Sequence, residues 1–306
     1  MQSRLDARDY EILKSLADCG VLTVVHVSVL HGRNSSALRR RLRTLRDMAM
    51  INMSSRALGA RRGRPQVLVS LDEQGVAALR SAGILSSSGP DDAAGVPDGR
   101  CLEHLLLVNE LRIQLAQMTR AVPAVQVRFL SPTSPFLDRT PAGLPLVHEK
   151  FPEENGNWVE FTPDGVFALS HEQVPQALQF FLEVDMGTET LASPRRPKQD
   201  VRQKILNYQA TYRLQRHRRV GRIIGHEFRG FRLLFLANDL ARAGALCRLV
   251  KEMPPSSFIY VTDRGSLESK GVWADIWVEG GRLDLPRRSI LGSRMPNPTP
   301  APSDLA

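Results

Sequence analysis

Two stretches, Trp158-Val159-Glu160-Phe161-Thr162-Pro163-Asp164-Gly165-Val166-Phe167-Ala168-Leu169 and Phe180-Phe181-Leu182-Glu183-Val184-Asp185, decide how the second half of this chain folds. The first predicts two short β-strands and the second predicts another, each rich in aromatic or branched residues and bounded by turn formers. Asp164 follows a proline at a turn, just before the apolar run Val166 to Leu169, while Glu183 and Asp185 end a run that should be buried. Side chains two apart on a strand share a face, so Glu183 and Asp185 are expected on one side. Neighbouring strands lie about 4.8 Å apart, which brings Asp164 to the same point if its strand is next to theirs. Three carboxylates meeting there repel one another unless a cation sits among them, and a hard divalent ion such as Mg²⁺ takes oxygen-only ligands.

Further along the chain, the run from Asp200 to Tyr212 places Val201, Ile205, Tyr208 and Tyr212 at i, i+4, i+7 and i+11, which is one apolar helix face. Lys204 falls three after Val201 and four before Tyr208, on the border of that face. A lysine held there, after a strand of acids, is placed to stabilise a charged transition state or to orient a water.

Asp164 after Pro163, Glu183-x-Asp185, and Lys204 in the following helix resemble the PD-(D/E)xK nuclease-like fold, in a variant whose lysine has moved onto the helix. More narrowly, the run from His104 through Pro163-Asp164, Leu182-Glu183-Val184-Asp185 and Lys204-x-x-x-Tyr208, behind a winged-helix start, is similar to the replication-relaxation family of plasmids and integrative elements. The resemblance covers about residues 5 to 280. It implies Asp164, Glu183 and Lys204 as catalytic residues and Asp164, Glu183 and Asp185 as ligands of Mg²⁺. Glu110 is implied as the acid that the first helix of such domains adds to the metal site. Asp185 stands where the superfamily pattern has a lysine, so Lys204 is the candidate replacement.

Composition sets the outer bounds. The chain has 306 residues, 42% of them hydrophobic, enough for two cored domains. Its 41 Lys and Arg against 32 Asp and Glu give a net charge of +9, which favours a polyanionic partner. Residues 1 to 83 alone hold 14 basic and 7 acidic residues, so most of the excess lies in the first quarter. Cys19, Cys101 and Cys247 fit neither a disulfide framework nor a zinc site, which suggests a reducing compartment. No run approaches the roughly 20 apolar residues that cross a bilayer, and the first residues lack the apolar core of a signal peptide. A cytoplasmic protein with no membrane contact is expected.

The N-terminal domain is the stronger functional signal. Asp6 is expected to cap a helix with Tyr10, Leu13 and Leu16 or Ala17 facing inward, and Gly20 to end it. A second helix is predicted over Thr23 to Leu30, stopped by Gly32. A third, Ser36 to Met48, has Leu38, Leu42 and Leu45 on one face and Arg39, Arg40, Arg41, Arg43 and Arg46 on the others. Five guanidinium groups in eight residues repel one another, so a neutralising ligand is inferred. Met50 to Ser54 and Gln66 to Leu71 predict a hairpin whose link contains Arg61, Arg62 and Arg64, and Asp72 is expected to cap a fourth helix. This order is that of a winged helix-turn-helix, with the third helix in the major groove and the wing along the backbone. Those arginines are the candidate DNA contacts, to guanine edges or to phosphates.

The expected architecture is α/β, or α+β overall: a winged helix-turn-helix over 1–83, a flexible linker over 84–100, a restriction-endonuclease-like α/β domain over 101–285, and a disordered tail over 286–306. In the α/β domain a helix from Leu102 to Thr119 is predicted, then a long loop over 131–157. A second basic run (Arg213, Arg216, His217, Arg218, Arg219, Arg222, Arg229) is expected either to grip a DNA backbone or to form a solvated helix end. The strand, helix and strand after Phe231 continue the sheet, with Val272 to Val278 as a last strand. The function implied is duplex-DNA binding in replication, relaxation or mobilisation of a mobile element, with Mg²⁺-dependent nicking. The alternative is a non-enzymatic regulator or relaxase accessory factor with an inactive nuclease-like scaffold. Partners expected besides duplex DNA are a relaxase or replication protein, or a second copy forming a homodimer. Aromatic residues make up 6% of the chain, which disfavours an RNA-binding reading that needs base stacking.

Overall fold

Asp6 caps the first helix, α1 (Ala7–Cys19), by accepting the Asp9 N–H, and Asp9 reaches back to the Asp6 N–H, so both orphan donors are satisfied. The structure, a computed structural model, describes residues 5–32, 35–56, 66–86, 96, 99–153, 156–192 and 200–292. It is a mixed α+β chain that divides into two units, Met1–Ile113 with Thr133–Pro145, and Gln114–Pro132 with Leu146–Ala306.

In the first unit α1 leads through a short strand, β1 (Val21–Thr23), into α2 (Val24–His31), α3 (Ser35–Asp47), β2 (Ile51–Arg56), β3 (Gln66–Leu71) and α4 (Glu73–Ser81). The strands form one antiparallel sheet in the order β1-β3-β2. Strand β1 escapes a sequence reading because three residues after a helix-ending glycine carry no periodicity. Leu38, Leu42 and Leu45 of α3 are fully buried, as their spacing predicts, among Ile12, Leu13, Leu16 and Val69. Each such leucine contributes about 1.5–3 kcal/mol of apolar burial. Asp72 caps α4.

Helix α5 (Gly99–Ala121) begins three residues before the predicted start. Its portion up to Ile113 belongs with the first unit, tied by apolar packing of Ile113 in that unit's core and of Leu106 with Val21 and Leu68, and by polar contacts. The buried Asn109 amide donates to the carbonyls of Cys19 and Val21 at 2.9 and 2.8 Å, and Arg112 donates to the Asp18 carbonyl at 3.0 Å. The division between the units therefore falls inside a helix, where neither composition nor a breaker marks it. Of the predicted linker, 87–95, 97 and 98 lie outside the described residues, whereas Leu85 is buried in the first unit's core.

The second unit is built on a six-stranded sheet ordered β11-β10-β9-β8-β7-β4. Strands β4 (Val125–Leu130), β7 (Gly165–His171) and β8 (Val174–Asp185) form an antiparallel meander. Beyond it β9 (Arg232–Ala237) and β10 (Ile259–Asp263) run parallel to β8, and β11 (Val278–Glu279) closes the edge antiparallel. Helices α6 (Val201–Arg213) and α7 (His217–Ile224) lie in the chain between β8 and β9, α8 (Leu240–Lys251) lies between β9 and β10, and α9 (Arg264–Lys270) follows β10. Residues 179–185 of β8 are all buried, the pattern of a central strand covered on both faces.

Several boundaries differ from the sequence reading. The stretch predicted as a loop over 131–157 contains β5 (Glu149–Pro152), which pairs with β6 (Trp158–Phe161) in a separate two-stranded sheet, so the first strand of the deciding stretch does not enter the main sheet. Strand β8 starts at Val174, not Phe180, because a tight turn at Glu172-Gln173 pairs it with β7 despite Pro175. The last strand is two residues long; Trp277 instead makes an isolated bridge to Arg288. That bridge and the buried Ile290 and Leu291 mean that 286–292 pack against the unit, contrary to the expected disordered tail. Residues 293–306 lie outside the described residues. No helix among the described residues is long and apolar enough to cross a membrane.

Candidate functional site

In the first unit, burying the leucine face of α3 turns its arginines outward unevenly. Arg39, Arg40 and Arg43 are exposed and have no ion pair among the described residues. Arg46 is exposed and pairs with its neighbour Asp47 at 2.8 Å, a solvated interaction that adds little. Arg41 departs from the sequence reading: it is half-buried and clamps the fully buried Asp9 carboxylate, with Nε 2.7 Å from Oδ1 and a second hydrogen bond through its terminal nitrogen. A guanidinium spent on a buried acid is part of the core. Arg61, Arg62 and Arg64 lie outside the described residues.

In the second unit the turn before β7 places Asp164 against β8. Its N–H donates to the Leu182 carbonyl at 3.1 Å, and its Oδ2 accepts the Val184 N–H at 2.7 Å, so it brackets residue 183. Gly165, the next residue, leaves room for the Phe129 ring of β4, since a Cβ there would stand 2.4 Å from it. Glu183, only 4% exposed, meets α6: Oε1 accepts the Tyr208 hydroxyl at 2.6 Å and Oε2 lies 3.2 Å from Lys204 Nζ. The same ammonium is 3.0 Å from Glu189. The i, i+4 spacing of Lys204 and Tyr208 aims both at one carboxylate.

Electrostatics bind the group together. Burial drives the Glu183 carboxyl up to about 7, with the Asp164 charge adding to it, while Lys204 and Tyr208 pull the other way. Burial opposes the Lys204 ammonium, yet Glu183, Asp164 and Glu189 outweigh it and hold its pKa above the ordinary value. Burial, reinforced by Glu183, raises the Tyr208 phenol well above its ordinary value. Tyr208 is fully buried between Phe161 and Phe181, so it donates a hydrogen bond and is no exposed nucleophile.

The structure thus brings Asp164, Glu183 and Lys204 together. It engages the other two predicted ligands elsewhere. Asp185 faces Arg242, with Oδ2 at 3.0 Å from Nε and 2.9 Å from a terminal nitrogen, and its Oδ1 accepts the Gly187 N–H. Glu110, in the first unit, is 3.1 Å from His26 Nε2. Among the described residues no group of three or more His, Cys, Asp or Glu side chains is placed to hold a metal ion. Two carboxylates are nevertheless a donor set that Mg²⁺ accepts when waters and a phosphate complete its shell. Glu189 and Arg242 are site residues that the sequence reading does not single out, and Tyr208, named there in a motif and on an apolar face, is a hydrogen-bond donor to Glu183 that it does not foresee. Only Tyr208 carries a signal there, in its spacing from Lys204.

Fold and site together define a mixed α+β protein with an arginine-faced helix in one unit and a carboxylate and lysine cluster in the other. The model of the replication-relaxation family matches residues 13–225, and the chain belongs to that family, which points to a role in replication or relaxation of mobile elements. No curated protein and no solved structure matches the chain.

Proposed function

We propose that this chain binds duplex DNA of a mobile element through its first unit and nicks it with Mg²⁺ in its second. The observation that carries the reading is α3, which buries Leu38, Leu42 and Leu45 and presents Arg39, Arg40 and Arg43 to solvent. The order of helices and the β1-β3-β2 sheet around it support a winged helix, in which that helix lies in the major groove. In the second unit an antiparallel meander followed by a parallel strand, with Asp164 ahead of its second strand and Glu183 in its third, supports a nuclease-like core.

In this reading Asp164 and Glu183 are the residues that hold magnesium, whose chemistry when bound is to activate a water and neutralise the phosphate. Tyr208 fixes the Glu183 carboxylate by hydrogen bonding. Lys204, already shared between Glu183 and Glu189, supplies positive charge beside the developing phosphate charge.

Two measurements on the full chain test this. Binding to a duplex is followed against salt. Each phosphate that a side chain no longer neutralises lowers the slope of log affinity on log salt by about 0.9, so removing Arg39, Arg40 and Arg43 should lower it by between two and three. An unchanged slope rejects α3 as the DNA-binding helix. A supercoiled plasmid should be nicked with Mg²⁺ and spared with EDTA or by Asp164→Ala.

One observation favours a second reading, a non-enzymatic accessory protein that binds a relaxase or replication protein. Asp185, at the position of the superfamily lysine, is neutralised by Arg242. Absence of nicking by the wild-type chain on its bound sequence selects this reading.

A further inference from the structure

The second basic run divides into two halves with different fates. Arg219 donates to the His148 carbonyl and to Glu149, both at 3.0 Å, and Arg216 lies 3.7 Å from Glu149 and over the Phe151 ring. Glu149 is fully buried, so these two arginines compensate a carboxylate that burial would otherwise leave costly. Arg213 is held by Glu153 at 3.1 Å.

Arg218, Arg222 and Arg229 are exposed and make no ion pair among the described residues. Arg218 and Arg222 are four apart on α7, opposite the buried Val220, Gly221 and Ile224, and like charges at that spacing repel. The segment after α7 folds back along the helix: His226 N–H and Gly225 N–H both donate to the Gly221 carbonyl, at 3.0 and 2.8 Å. A Cβ at Gly221 would stand 2.7 Å from the His226 carbonyl, so glycine is what lets this loop lie against the helix. The result is a cavity of about 990 Å³ lined by Arg218, Arg222, Arg229 and His226, with Gln176 from β8 and one acid, Glu227.

We propose that this cavity is a second DNA site, which grips the sugar–phosphate backbone through Arg218, Arg222 and Arg229. Its charged lining side chains are exposed and therefore solvated, so a lone phosphate gains little there. A polyanion that lays successive phosphates along the arginines gains from each counterion it releases. Phe228, in the lining, is 5% exposed and offers no face for stacking a base, and His226 is the one exposed ring against three exposed guanidinium groups, which makes the backbone the part chiefly recognised. The proposal takes its choice of polyanion from the DNA-binding reading above but rests on a different set of residues.

The test uses the full chain and a short duplex, with affinity measured by fluorescence anisotropy across salt concentrations. The combined variant Arg218→Gln, Arg222→Gln, Arg229→Gln should lower the log–log salt slope by between two and three, at about 0.9 per phosphate neutralised, with an unchanged melting temperature. Lys at the same three positions should keep the slope. Glu227→Gln, which removes the one opposing charge, should raise affinity severalfold. An unchanged slope in the glutamine variant overturns the proposal. If that variant melts early, Glu227→Gln decides, and no gain in affinity overturns it. Binding of inorganic phosphate that depends on these arginines, with no change in the DNA slope, assigns a small-anion site and also overturns it. The α3 variants separate this outcome from failure of the first unit: a smaller slope on removing the α7 arginines but not Arg39, Arg40 and Arg43 sinks the α3 reading and leaves this one standing.

Discussion

Replacing Arg41 by alanine should damage the fold of the first unit far more than replacing Arg40, its neighbour on α3. Asp9 is fully buried, and its two oxygens receive Arg41 and the Asp6 N–H, the latter at 2.8 Å. Removing the partner of a buried ion pair costs about 3–5 kcal/mol, because the remaining charge stays desolvated. Asp9 keeps part of its compensation, since it lies in the first turn of α1, where the helix dipole favours an anion by about 0.3–1 kcal/mol. The expected loss is therefore about 2–4 kcal/mol, a large share of the roughly 5–15 kcal/mol typical of a domain. Two units unfolding separately would blur a single transition, so the measurement is native-state amide exchange of α1 and α3. Arg41→Leu combined with Asp9→Asn should recover most of the loss, because the asparagine still accepts the Asp6 N–H and no charge is left buried. A loss below about 1 kcal/mol, with DNA affinity falling as much as in Arg40→Ala, would refute the argument and make Arg41 a phosphate ligand.

In EDTA, the unfolding free energy of wild type minus that of Glu183→Gln should shrink as pH rises from about 4.5 to 7. The carboxyl is raised from 4.5 to about 7, so the native state holds its proton more tightly; the penalty is absent below 4.5 and grows to about 3 kcal/mol near 7, at ~1.4 kcal/mol per pH unit. Lys204 has its pKa held above its ordinary value, so its contribution is lost only at alkaline pH, outside this window. Equal differences at pH 5 and pH 7 by urea titration would contradict the assignment. Gly281→Ala should lower the melting temperature by several degrees, since φ is +72° and the added Cβ would stand 2.1 Å from the Cys247 carbonyl. A melting temperature within a degree of wild type would mean that the backbone there relaxes freely.

What is legible in the sequence follows local rules. The stripe of Leu38, Leu42 and Leu45, the caps at Asp6 and Asp72, and the helix carrying Lys204 depend on neighbours within a few residues, and periodicity or capping chemistry reports them directly. What stays hidden depends on partners far along the chain. Arg41 looks like its neighbours on α3 until Asp9, 32 residues earlier, is brought under it. Strand β5 hides in a stretch rich in proline because four residues of weak alternation carry too little signal. The division of the second basic run is equally invisible, since only folding brings the buried Glu149 beneath Arg216 and Arg219 and leaves Arg218 and Arg222 in solvent.

The acid cluster lies between these extremes, and its two acids on β8 explain why. Glu183 sits within the ladder, paired with Phe235 of β9, so the two-residue rule and the adjacent turn together carry it to Asp164. Asp185 obeys the same parity but is the last residue of the strand. There the chain turns, its Oδ1 caps the Gly187 N–H, and Arg242 arrives from α8 to take the other oxygen. The ladder still holds at Asp185, which pairs with Ala237, so what separates it from Glu183 is the partner each carboxylate meets: Arg242 for one, Lys204 and Tyr208 for the other. That difference in partners favours Lys204 as the lysine of this site: it reaches Glu183 from a helix, and Tyr208, one turn later on the same helix, donates to the same carboxylate and holds it still.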